Sequence, residues 1–157
     1  DDGAHGPDHT RAPGLRKAYA RLVAARAAST QDPLTPVRAL WDAMRNRDVD
    51  AAMDLMHEDV VWVQLIAEGE PVRTAEALRV HLEALAGSGV VADAYPLAFD
   101  ELPDGRVLVS GALRVRRPDN WMATVQRWWI YVVEDGRIRR AQACITREDA
   151  LATPLTG

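Results

Sequence analysis

The order of periodicities in this chain predicts an α+β domain in which helices pack into a strongly bent antiparallel sheet around a pocket. Helical apolar spacing is confined to the segments before Gly87, whereas the rest reads as four long β-rich segments. Short hairpin signals, Asp104-Gly105, Pro118-Asp119-Asn120 and Asp135-Gly136, join those segments and return the chain antiparallel. A parallel sheet would instead need a long crossover between successive strands.

The 157 residues are enough for one hydrophobic core, and a single folding unit is expected. Residues 1–14, with Gly3, Gly6, Pro7, Pro13 and Gly14 among charges, read as a flexible tail. Residues 15–31 read as a basic amphipathic helix and its exit: Leu15, Ala18, Tyr19, Leu22 and Ala25 alternate with Arg16, Lys17, Arg21 and Arg26. Such a helix could dock on a partner or a membrane surface, but a helix lying on its own domain is the simpler expectation. Pro33 and Pro36 separate it from the main body.

Val37, Leu40, Trp41 and Met44 form one stripe on a helix running to about Arg47. Asp48 then caps a second helix whose buried face is Ala51, Ala52, Leu55 and Met56, with His57 capping its end. A strand is expected over Val60 to Ile66, with a turn at Glu68-Gly69-Glu70 and a short return through Val72. Thr74 caps a third helix with Leu78, His81, Leu82 and Leu85 on its inner side. The four strands of the meander cover Val90 to Leu102, Val107 to Arg116, Trp121 to Val133 and Arg137 to Thr146, and residues 150–157 are left as a tail.

The residues after 31 carry −6 of the total charge of −4, the first 31 carrying +2, and an acidic domain is a poor match for nucleic acid. No run approaches the roughly 20 apolar residues that span a bilayer, so no membrane span is expected and the location expected is cytoplasmic. Cys144 is the only cysteine, which rules out an intramolecular disulfide and a cysteine-based zinc site. His5 and His9 are separated by Gly6 and Pro7, which oppose the helix that would align them as metal ligands.

The run from Asp48 to Trp62 (Asp48-Val49-Asp50-Ala51-Ala52-Met53-Asp54-Leu55-Met56-His57-Glu58-Asp59-Val60-Val61-Trp62), with Thr74-Ala75-Glu76-Ala77-Leu78 and Glu134-Asp135-Gly136-Arg137-Ile138, resembles the SnoaL-like branch of the nuclear transport factor 2-like superfamily over residues 36–149. The resemblance implies a cone: three helices closing one side of a curled sheet, around a hollow open at one end. It also implies dimers formed through the sheet. Members include steroid isomerases, polyketide cyclases, dehydratases, epoxide hydrolases and domains that only bind, so the fold leaves the reaction open.

The catalytic groups of those relatives do not carry over. Gln64 stands where the steroid isomerases hold a carboxylate base, and an amide cannot accept a proton near neutral pH. Leu40 stands nearest the isomerase tyrosine and Gln126 nearest its carboxylic acid. The epoxide hydrolases need two inward carboxylates, and Arg114 alone does not supply that set; it reads as an exposed strand arginine.

His81 remains as the one candidate general acid or base, in the manner of the family's dehydratases, against an equal expectation of a core histidine held by one hydrogen bond. Asp42 and Asp93 are its candidate partners. Strand alternation groups Trp62 with Gln64, and Met122, Thr124 and Gln126 with Trp128, so Trp62, Gln64, His81, Gln126 and Trp128 are the expected ligand-lining set. The expected ligand is a small hydrophobic or aromatic molecule, bound without metal or organic cofactor. Trp121, Trp129 and Tyr131 would then face outward and mark a homodimer interface. The alternatives to simple binding are a cofactor-independent lyase, cyclase or isomerase using His81, and a dimeric interaction module.

Overall fold

The computed structural model describes residues 32–64, 70–87, 91–116 and 122–155. The expected tail and basic helix of residues 1–31 and the turn at 118–120 lie outside them. The elements run α1 (Leu34–Asn46), α2 (Val49–Asp54), β1 (Met56–Val63), α3 (Ala75–Gly87), β2 (Val91–Glu101), β3 (Val107–Arg116), β4 (Met122–Glu134), β5 (Arg137–Cys144) and α4 (Arg147–Ala152).

The apolar stripe forms α1 as its spacing requires: Val37, Leu40 and Trp41 are buried in the main core with Leu78 and Leu82 of α3. The helix starts three residues before Val37. Pro36 is tolerated there because the amides of a first turn have no intrahelical partner. Asp32 closes that end, accepting from Leu34 N at 3.0 Å and from Thr35 Oγ1 at 3.1 Å. At the other end Arg47 N donates to Met44 O and Asp48 N to Ala43 O, the paired bonds of a Schellman cap, with Arg47 in the left-handed region at φ 56. Asp48 Oδ1 then accepts from Ala51 N at 2.9 Å and opens α2.

The strand after α2 begins earlier than the sequence predicts. Met56 to Asp59 belong to β1, and Ile138 N donates to Leu55 O at 2.8 Å, fixing the start of β1 beside β5. His57 is therefore a strand residue, its Nδ1 accepting from Asp59 N, and it caps no helix. Residues 68 and 69 of the expected turn lie outside the described residues; past them Val72 pairs antiparallel with Trp62 as an isolated bridge.

The sheet order is β1-β5-β4-β3-β2, with β2 to β5 an antiparallel meander. The one departure from an all-antiparallel sheet is β1, which pairs parallel with β5 through the long intervening crossover. Asp135 (φ 49) and Gly136 (φ 75) make the β4–β5 turn, both central residues left-handed as a type I′ hairpin demands.

Two cores result. On the concave face Val107, Val109, Tyr131, Ile138 and Ala141 meet the helices. On the convex face Leu108, Ile130 and Cys144 pack against Ala150 of α4, with Trp128 and Leu151 at the border. The residues expected as a tail from 150 onward are thus partly structural: Ala150 and Thr153 are buried. Arg106, only 8% exposed, holds them, its Nη1 donating to Leu151 O (3.1 Å) and Thr153 O (2.7 Å) while Nε and Nη2 meet Asp104 Oδ2. Cys144 is a buried thiol, pushed up from its ordinary value first by burial, and behaves as a small apolar residue.

Candidate functional site

A cavity of about 350 Å³ lies between α1, α3 and the concave side of the sheet. Its wall is drawn mainly from five elements, two helices and three strands. The C-terminal half of α1 contributes Leu40, Trp41 and Met44; α3 contributes Leu82, Leu85 and Ala86; β1 and β4 contribute Trp62, Trp129 and Tyr131. Asp93, Ala94 and Tyr95 of the edge strand β2, with Arg45, Arg47 and Asp48 from the α1–α2 junction, complete it.

The aromatic wall is ordered by ring contacts. Trp41 meets Trp129 edge to face, centroids 4.9 Å apart at 87°, and Phe99 at 6.3 Å and 88°. Arg38 lies over the outer side of Phe99 at 5.6 Å and completes the stack. Packed in this way, the Trp41 indole has no freedom to turn its N–H toward water. Nε1 is buried with no hydrogen-bond partner among the described residues. Its polar neighbour is Tyr131, whose phenol is pushed far above its ordinary value by burial, the Trp41 N–H opposing that rise. The phenol is thus neutral at any physiological pH. An indole can only donate, so the Trp41 N–H acts on the phenol oxygen electrostatically without closing a hydrogen bond to it, and the phenol's own proton is left to offer a ligand.

No acid or base faces the cavity in the same way. Asp48 is engaged as the cap of α2. Asp93 is opposite Arg114 in the register of β2 and β3, and Tyr95, two residues on, lies under the Arg114 guanidinium at 5.5 Å. Side chains two apart share a face, so Asp93 and Tyr95 border the cavity from the edge strand while their side chains belong with Arg114 on the convex side. Arg114 is exposed there, as expected from the sequence.

The residues expected to line the hollow are dispersed. Trp62 is in the cavity wall. Gln64 and His81 meet each other through Gln64 Nε2 and the imidazole, between β1 and α3, and neither borders the cavity. Gln126 and Trp128 belong to the convex face, paired with Ala112 and Ser110; Gln126 is exposed and Trp128 packs toward α4. The alternation of β4 is therefore opposite to that expected: Trp129 and Tyr131 turn inward. The outward aromatic set that suggested a dimer interface loses both of them, and Trp121 lies outside the described residues. Alternation left two faces to choose between, and the convex face is apolar where α4 covers it, which disguised the choice. Tyr131 and Trp41 line the cavity and lie outside the expected set. Ala123, Val125, Trp129, Tyr131 and Val133 share one alternate set of β4 that only Arg127 interrupts, and that nearly continuous apolar signal points to Tyr131.

Among the described residues no group of three or more His, Cys, Asp or Glu side chains could hold a metal ion, and no helix is long and apolar enough to cross a membrane.

A curved, unclosed five-stranded sheet closed on one side by helices, with a cavity between them, is the architecture of the nuclear transport factor 2-like superfamily. Within that superfamily the profile of the SnoaL-like domain matches residues 37–141, and the chain belongs to the SnoaL-like family. No curated protein sequence matches it. Among solved structures it is similar to TerC co-crystallised with polyporic acid, at 21% identity and a TM-score of 0.64 over 76% of this chain and 95% of that one. It is also similar to a candidate polyketide cyclase from Sinorhizobium meliloti (24% identity, TM-score 0.59, 70% and 94% of the two chains). A third is an LEH-like epoxide hydrolase of M. tuberculosis (18% identity, TM-score 0.62, 76% and 86%). At these identities the structural likeness establishes the fold.

Proposed function

We propose that the domain binds a planar aromatic small molecule in this cavity, with one ligand oxygen accepting a hydrogen bond from Tyr131. The carrying observation is the wall itself: Trp41, Trp62 and Trp129 offer three indole surfaces, and Tyr131 is the one buried phenol among them. Aromatic faces supply contact area with little rotamer entropy to lose, and a single buried donor fixes orientation. The co-crystal of TerC with polyporic acid shows an aromatic ligand in a protein of this fold and supports the reading.

Three tryptophans in the wall make quenching of intrinsic fluorescence the direct test. Titration with polyporic acid and with 2-naphthol should give saturable quenching, and Tyr131→Phe should weaken 2-naphthol by about fivefold to tenfold, the worth of one neutral hydrogen bond. Absence of saturable quenching by either probe would sink the reading.

The alternative, proton transfer by His81 beside a ligand carbonyl, needs the imidazole at the cavity wall, and its engagement with Gln64 favours binding without chemistry. His81→Ala should accordingly leave ligand affinity within about twofold of wild type while costing about 1 kcal/mol in urea unfolding through the lost Gln64 contact. A loss of affinity equal to that of Tyr131→Phe would restore His81 to the site.

A further inference from the structure

We infer that Arg47 selects for ligands bearing an anionic oxygen, a carboxylate or an ionised acidic hydroxyl, at the end that emerges from the cavity. The inference rests on the cavity being a ligand site and adds the charge of its ligand.

Arg47 stands at the left-handed position of the Schellman cap that ends α1, φ 56, where glycine meets no steric penalty and a side chain does. The capping bonds there, Arg47 N to Met44 O and Asp48 N to Ala43 O, are made by backbone alone and would serve a glycine as well. Nothing in the helix end therefore calls for arginine. A favourable cation near the C-terminal end of the helix is already supplied by Arg45 in the last turn. What the position does offer is the cavity rim: Arg47 borders it and is exposed.

Of the other charges at the rim, Arg45 pairs with Asp42 at 3.6 Å and Asp48 caps α2 through Ala51 N, while Asp93 stands opposite Arg114 in the sheet register, on the face away from the cavity. Arg47 has no carboxylate partner among the described residues. A strained residue whose charge is unengaged at the lip of an aromatic cavity fits a guanidinium held for a ligand, since strain retained at a rim is strain that function repays. The ligand class that satisfies both ends is an aromatic acid: a neutral oxygen at Tyr131, an apolar body against the tryptophans, an anionic oxygen at Arg47.

The test uses two isosteric probes, 2-naphthoate and 2-naphthamide, titrated against the full chain by tryptophan quenching. Wild type should prefer the naphthoate by about fivefold, a preference that added salt narrows because the rim is solvent-exposed. Arg47→Gly and Arg47→Asn should both erase the preference, and Arg47→Lys should keep part of it. Arg47→Gly should also raise Tm by about 3 °C as the left-handed strain is relieved. Equal affinity of the two probes in wild type, or an unchanged preference in Arg47→Gly, overturns the inference while leaving the cavity reading intact. Failure of both probes to bind overturns the cavity reading and this inference with it.

Discussion

Arg106→Ala should destabilise the domain by about 3 kcal/mol in urea unfolding, roughly a 10 °C fall in Tm for a chain of this size. Arg106 is a nearly buried guanidinium whose three nitrogens all have partners: Nε and Nη2 on Asp104, Nη1 on the carbonyls of Leu151 and Thr153. Truncation leaves two backbone carbonyls at the end of α4 without their donor and opens the space of the stem. The penalty of stranding buried acceptors is larger than the worth of any one bond. Arg106→Lys should fall between, because a single ammonium cannot hold Asp104 and both carbonyls in the same planar arrangement. Amide exchange should rise first across residues 147–153, since six residues of helix do not persist without anchoring. A loss below about 1 kcal/mol, with no change in that exchange, would show that α4 holds itself in place by its apolar contacts alone.

Gly111→Ala should cost about 3 kcal/mol or more and should also abolish ligand binding. A Cβ built on Gly111 falls 2.3 Å from Tyr95 O, 3.1 Å from Tyr95 C and 3.2 Å from Pro96 Cα. All three are backbone atoms, so no rotamer change can relieve the contact; β2 must move away from β3. The register shift between Pro96 and Ala98 lies at this point, where the edge strand bends tightly over its neighbour. Tyr95, Ala94 and Asp93 are the residues that bring β2 to the cavity, so displacement of the bend carries the wall with it. The two readouts separate packing from shape: urea unfolding measures the first, naphthol quenching of the folded fraction the second. Wild-type affinity in a destabilised Gly111→Ala protein would mean that β2 contributes nothing to the ligand.

Much of the fold is legible in the residues, because the signals concerned are local. The stripe Val37, Leu40, Trp41 and Met44 specifies α1, and Asp135-Gly136 specifies the turn that sets the β4–β5 register. Each depends on spacing within a few residues. The parallel pairing of β1 with β5 is not legible, being decided by a contact between Leu55 and Ile138 far apart in the chain. The site was read less well for the same reason. Trp62 is placed by the alternation of one strand, but the inward turn of Trp129 depends on which face of β4 finds helices. Both faces do: α1 on one side, α4 on the other. Once residues 150–157 are read as a tail, Trp128 has no visible cover and the choice between the two tryptophans is lost.

The adjacency of Trp128 and Trp129 across that divide makes the dipeptide a two-channel optical reporter. One indole looks into the chamber where a ligand would sit, its neighbour into the compartment under the C-terminal helix. Replacing Trp129 by Phe should remove the part of the emission change that follows ligand entry, and replacing Trp128 by Phe the part that follows release of α4. Two events on opposite surfaces of the sheet can thus be followed without any introduced label, from chromophores a single peptide bond apart.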